Sequence, residues 1–199
     1  MPRIAAPTVA EHRALIHERL IDAAEQILRS DSPDRLTPAA VSAAAGIARN
    51  SIYRYVGTVD DLRAMVLARY LPEWTGAVAA ALDPVSDPAE RVATWIEANL
   101  REAGDAGHGW LMRIPVAPGD GEAWEQVEEA HRAMDDLLTR AWVALVPDPA
   151  RSRLATAYTR AILGAGFRAL DAGTDPGLVV ETGRAGAMGL VTAYAAHDR

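Results

Sequence analysis

The stretch Leu36-Thr37-Pro38-Ala39-Ala40-Val41-Ser42-Ala43-Ala44-Ala45-Gly46-Ile47-Ala48-Arg49-Asn50-Ser51-Ile52-Tyr53-Arg54-Tyr55-Val56 decides the fold. Thr37 followed by Pro38 reads as a helix start, because a Thr side chain caps free backbone amides and Pro suits the first turn. Gly46 reads as the stop. A second short helix, about Ala48 to Tyr55, opens after only Gly46 and Ile47 and closes at Gly57-Thr58. Two short helices joined by a tight glycine turn make a helix-turn-helix, in which the first braces against the nucleic-acid backbone and the second enters the major groove. Val41, Ile47, Ile52 and Val56 suit its buried side, leaving Arg49, Asn50, Ser51, Tyr53 and Arg54 to face outward. Arg bonds guanine bidentately, Asn bonds adenine, and Ser or Tyr hydroxyls hold phosphate oxygens.

Charge supports this locally and opposes it globally. The chain has 20 Arg and no Lys against 27 acids, a formal charge of −7, which by itself discourages nucleic acid as a partner. Leu36 to Val59, however, contains two Arg and no acid. A carboxylate facing phosphate would oppose the counterion release that drives such binding. Met1 to Tyr70 holds nine Arg and eight acids, +1, so the remainder carries −8. Any cationic DNA contact must come from Arg, the better bidentate donor.

Working outward, apolar residues recur at helical spacing and alternating strand patterns are missing, so the chain reads as all-α. Leu15, Leu20, Ala23, Ala24, Ile27 and Leu28 give a first amphipathic helix, stopped by Ser30 to Pro33. A helix opens near Val59-Asp60-Asp61, is bent or broken at Pro72, and resumes to Asp83-Pro84. Pro88 starts the next, through Val92, Trp95, Ile96 and Leu100. A brief segment at Trp110 to Ile114 and a loop, Pro115 to Gly121, follow. Three long helices, about Glu122 to Val146, Ala150 to Ala172 and Pro176 to Ala196, close the chain.

Composition excludes several classes. With 199 residues, half of them hydrophobic, the chain can bury a core and is neither a disordered segment nor a fibre. The absence of Cys removes disulfides, thiolate zinc sites and cysteine catalysis, which fits a reducing cytoplasm. No signal peptide is apparent, and no uncharged run approaches the roughly 18 residues of a membrane span. A soluble, cytoplasmic protein with no membrane partner is expected.

Residues 36–56, followed by Asp60-Asp61-Leu62, resemble the N-terminal signature of the TetR family of bacterial transcription regulators, with Ala44-Ala45-Gly46-Ile47 and Ile52-Tyr53-Arg54-Tyr55 the most diagnostic pieces. The resemblance covers about Leu15 to Leu67. It implies an all-α homodimer, with an N-terminal three-helix helix-turn-helix DNA-binding domain followed by a C-terminal helical ligand-binding and dimerisation domain. The boundaries expected are a disordered tail at 1–10, a DNA-binding domain at 11–58 and an effector-binding domain at 59–199. Two recognition helices would read a palindromic double-stranded operator, usually as a repressor released by a small molecule, without a cofactor and without enzymatic activity. By the same resemblance Thr37 would cap and touch a phosphate, Tyr53 and Tyr55 would meet the backbone, and Arg49, Asn50 and Ser51 would face bases. Thr58 would sit near phosphate. The sequence departs from the family at Ala48, Val56 and Val59; the last replaces a Lys and shifts weight onto Arg13 and Arg54.

The C-terminal part offers candidates without a shared motif. Trp95 and Asn99 share one helix face, while Trp124, Val127, His131, Met134, Leu138, Trp142 and Leu145 form a stripe. Trp95, Asn99, Trp110, His131, Met134 and Trp142 are the candidate pocket for an apolar or aromatic effector, and plain core packing explains the same pattern. Gly183 and Gly186, with Tyr158, Ala161, Ala165, Leu190 and Tyr194, suit a dimer interface, although small residues equally allow close packing within one subunit. Two other readings stay open. Glu128 and His131 have the Glu-x-x-His spacing of metal-dependent helical-bundle enzymes, but no second copy exists and no metal is expected. A TetR-like adaptor with a protein partner is the other.

Overall fold

The computed structural model of the chain describes residues 9–30, 35–105, 107, 109–114, 119 and 121–196. Among the described residues seven α-helices run in the order α1 (Val9–Arg29), α2 (Pro38–Ala44), α3 (Val59–Leu82), α4 (Pro88–Gly104), α5 (Glu122–Leu145), α6 (Pro149–Asp171) and α7 (Pro176–Ala196). The 3-10 helices Arg49–Arg54 and Gly109–Arg113 are interposed, and no strand occurs among the described residues. The expected all-α class holds, with a helix-turn-helix first and a helical bundle after it.

The chain divides into two compact units. The first comprises Met1–Arg69 and Ile114–Glu125, the second Tyr70–Arg113 and Gln126–Arg199. The first unit therefore reaches beyond the expected boundary at residue 58, and it recruits Trp124, which the sequence placed among the C-terminal helices. Its extension has two physical causes. Leu62, Met65 and Val66 of α3 are buried, as are Ile16, Leu20 and Ile21 of α1. Arg69 then donates to three carboxylates of α1, Asp22 at 2.7 Å, Glu18 at 2.8 Å and Glu25 at 3.0 Å. Partial burial lowers the guanidinium pKa, and the bonds to Asp22, Glu18 and Glu25 more than reverse this, leaving it raised.

Several local expectations change. Leu15 is exposed, with Ile16 and Ile21 taking its place in the core. Val9 and Ala10 already belong to α1, while the rest of the expected tail, 1–8, lies outside the described residues, as do 31–34, 115–118 and 120. Pro72 sits within a continuous α3, exposed, so the missing amide forfeits one bond without ending the helix.

In the second unit α4 packs against α6 and α7. Val92, Ile96 and Leu100 of α4 are fully buried. Glycines on the neighbours permit the approach. A Cβ on Gly166 would fall 2.5 Å from Leu100 Cδ2, and one on Gly183 would fall 2.6 Å from Leu100 Cδ1. Arg184 of α7 ties the same contact, pairing with Glu90 and, at 3.0 Å, with Glu97 of α4.

Candidate functional site

The helix-turn-helix is built from short-range bonds. Thr37 is extended, and its hydroxyl accepts from the Ala40 amide at 3.1 Å, which caps α2 as expected. Replacing this hydroxyl leaves an orphan amide, so Thr37→Ala should cost the first unit about 1 kcal/mol, read from chemical denaturation. At the other end Gly46 takes φ +65°, and a Cβ there would also approach Arg19 Nη2 at 2.9 Å. Arg19 reaches from α1 to donate to the Ala45 carbonyl, so a cation covers the negative end of α2.

The second element of the helix-turn-helix is a 3-10 helix, Arg49–Arg54, where the sequence suggested an α-helix from Ala48 to Tyr55. Its bonds span three residues, Ser51 N to Ala48 O at 2.8 Å and Tyr55 N to Ile52 O at 2.8 Å. At six residues it is long for this tighter winding, which is usually confined to runs of about three or four. Val41, Ile52 and Val56 are buried beneath it and Ile47 is half-buried. Arg49, Asn50, Tyr53 and Arg54 are exposed, Tyr53 to 57%, and Ser51 and Tyr55 are half-buried. The outward face thus carries the cations and hydroxyls that the sequence assigned to it.

Thr58 is exposed and closes a reciprocal cap at the start of α3. Its hydroxyl accepts from the Asp61 amide at 3.1 Å, while Asp61 Oδ2 accepts from the Gly57 and Thr58 amides at 2.8 and 2.9 Å. This junction fixes the exit of the 3-10 helix Arg49–Arg54 onto α3. Beside it lies a cavity of about 470 Å³, lined by Arg13, His17, Tyr55, Asp61, Met65 and residues Gly121 to Trp124. Arg13 was singled out in the sequence; Trp124 was not expected here, because its position depends on a return of the chain that no local pattern encodes.

The six expected pocket residues separate. Asn99 is buried, accepting from the Trp74 indole at 2.9 Å and donating to the Trp95 carbonyl at 2.7 Å. Trp95 donates to the Met134 carbonyl at 3.1 Å, and Trp142 to the Thr159 hydroxyl at 2.9 Å. These polar atoms are spent inside the core, so Trp95, Asn99 and Trp142 act as hydrogen-bonded packing. His131 is exposed, and so is Glu128. No group of three His, Cys, Asp or Glu suited to a metal occurs among the described residues. Met134 lines a surface groove with Pro72 and Leu137. Trp110 lines a different cavity, of about 370 Å³, with Met112 and Phe167, two residues that the sequence reading passed over.

The expected interface residues divide as well. Ala165 and Gly186 line an apolar groove of about 460 Å³ on α6 and α7, with Ile162, Leu178 and Thr182. Tyr158, Leu154 and Leu178 are more than half exposed, Ala161 is exposed and Leu190 is half-buried. Gly183 lines the same groove but is buried, and a Cβ there would fall 2.6 Å from Leu100 of its own subunit. Tyr194 meets Trp142 edge-on at 5.6 Å, with the Arg151 guanidinium 5.4 Å from its ring centre.

No family model matches the sequence, and no curated protein matches it. Solved structures do share its fold. FadR, a transcriptional regulator from Bacillus subtilis solved with stearoyl-CoA, superposes with a TM-score of 0.65 at 14% identity, over 88% of this chain and 97% of that one. A TetR-family transcriptional regulator from Streptomyces coelicolor gives 0.61 at 17% identity, over 96% and 98%. RolR, solved with resorcinol, gives 0.55 at 20% identity, over 94% and 93%. The chain therefore has the fold of TetR-type regulators along nearly its whole length. No helix among the described residues is long and apolar enough to cross a membrane.

Proposed function

We propose that the chain is a DNA-binding transcriptional regulator that works as a homodimer, represses from a palindromic operator and is released by a small apolar or aromatic effector. The observation that carries this reading is the acid-free outward face of Arg49–Arg54, held between the Thr37 cap and the reciprocal Thr58/Asp61 cap. Arg49, Asn50 and Ser51 read base edges, while Thr37, Tyr53, Arg54, Tyr55 and Thr58 hold phosphates. The apolar groove on α6 and α7 is the pairing surface, which sets the two reading elements one helical turn of DNA apart. α3 leaves the reading element at Val59 and continues to Leu82, so it contributes to both compact units. An effector that prefers one position of α3 shifts the population towards a spacing that no longer fits successive grooves.

Footprinting on DNA flanking the gene, with fluorescence anisotropy on the protected sequence, tests this directly. The wild-type chain should bind selectively and lose affinity as salt rises. Arg49→Ala should cost about 1–3 kcal/mol at one base position and leave the remaining positions discriminated. Equal affinity for the protected and scrambled sequences would defeat the proposal.

A further inference from the structure

The 3-10 helix Arg49–Arg54 is anchored differently at its two ends. Its exit is locked by side chains, through the reciprocal bonds of Thr58 and Asp61. At its entry Ala48 holds the cap position in an extended conformation and has no side-chain acceptor to offer. Before it comes the turn Ala45-Gly46-Ile47, closed by backbone bonds from Gly46 N to Ala43 O at 3.2 Å and from Ile47 N to Ser42 O at 3.0 Å. The side chain that reaches this turn belongs to α1, 26 residues earlier. Arg19 Nη2 donates to the Ala45 carbonyl and lies so near Gly46 that a Cβ there would fall 2.9 Å from it. The acids beside Arg19 on α1, Glu18 and Asp22, accept from Arg69 of α3 at 2.8 and 2.7 Å. α1 thus grips α3 through its carboxylates and the turn through Arg19, so the entry of the 3-10 helix is tied to the element that receives its exit.

A side chain that reads a base edge through paired hydrogen bonds tolerates displacements of only about 0.5 Å or 10–20°. A phosphate contact is more forgiving, because charge attraction falls off gradually with distance. We propose that Arg19 is a positioning residue for operator recognition: by holding the Ala45 carbonyl it sets the angle at which Arg49, Asn50 and Ser51 meet the bases, without itself touching DNA. This rests on the reading of the chain as a DNA-binding regulator and deepens it. The competing role for an exposed arginine of the first unit is a direct phosphate contact, and the two roles differ in their effect on salt dependence.

The test is fluorescence anisotropy of the full chain on the footprinted operator and on a scrambled duplex, each at salt from about 50 to 200 mM. Arg19→Met keeps an unbranched apolar stem and removes the donors, while Leu20 and Ile21 still carry the buried face of α1. Operator affinity should fall about tenfold and scrambled-duplex affinity by less than about twofold, with the slope of log affinity against log salt unchanged. Circular dichroism should show the variant folded at the assay temperature. Arg54→Ala, which removes a residue proposed to hold phosphate, is the contrast: it should weaken both duplexes alike and flatten the slope by about one. Should Arg19→Met melt below the assay temperature, Arg19→Lys keeps the charge on a shorter reach, and discrimination should still drop several-fold at constant slope. Both duplexes weakened equally with a flattened slope, or operator affinity unchanged in the folded variant, would overturn the assignment. A wild-type chain with no preferred sequence refutes the regulator reading, whereas a preference that survives loss of the Arg19 bond refutes only the role of Arg19.

Discussion

Trp142→Ala is expected to lower the unfolding free energy of the second unit by about 3–5 kcal/mol, the largest stability effect of any single substitution discussed. Trp142 is fully buried on α5. Its indole N–H donates to Thr159 Oγ1 at 2.9 Å, and that hydroxyl donates in turn to the Ala155 carbonyl at 2.8 Å. Its ring edge meets Tyr194 of α7 at 5.6 Å. One side chain therefore joins three helices through packing and through a bond whose acceptor is itself satisfied. Alanine removes the ring and leaves a void that fixed backbones cannot close. Domains of this kind are held by only about 5–15 kcal/mol, so the loss consumes a large share of the margin. Thermal melting followed by circular dichroism should fall by roughly 6–20 °C. Trp142→Phe should cost less than half as much, since it keeps most of the packing and surrenders the indole bond. A change in Tm below about 2 °C for the alanine variant would show that the site repacks.

The contrast between Trp142 and His131 locates the limit of what the sequence reveals. Both lie on one stripe of α5, and periodicity assigns them the same face. Trp142 is covered by α6 and α7, yet residues 128–133 contain no buried position, and His131 is exposed. Periodicity tells which face of a helix is able to be covered; whether another element lies there is a tertiary fact. The same reason explains why Trp124 belongs to the first unit. By contrast, Thr37, Gly46 and the Thr58/Asp61 pair act on backbone groups within four residues of themselves, and the sequence identified every one of the glycine and Thr positions. The outward set of the reading element was legible because a six-residue helix between two turns has only one buried side. Its 3-10 winding was not, since propensity does not distinguish the two windings over such a length.

Glycines were the least legible class, and the distinction between Gly183 and Ala165 turns this into an experiment. Gly183 is within its own subunit's core, 2.6 Å short of Leu100 at the position a Cβ would take, so enlarging it damages the fold before any assembly. Ala165 is exposed in the apolar groove of α6 and α7. Arg is nearly as good a helix former as Ala, so Ala165→Arg should leave the monomer's melting temperature unchanged. A two-fold pairing through this groove would bury that charge twice, once from each copy, at a cost of about 2–5 kcal/mol for each unpaired charge. If the groove pairs two copies as proposed, sedimentation should find the wild-type chain dimeric and the variant monomeric. Each reading element alone would still recognise a half-site, but the second contact would no longer be intramolecular, and affinity for the full palindrome should fall by about 10²–10⁴-fold. Half-site affinity should not change. If the variant remains dimeric and holds the palindrome as tightly as before, the groove is not the pairing surface, and the spacing of the reading elements must be set by another face of the second unit.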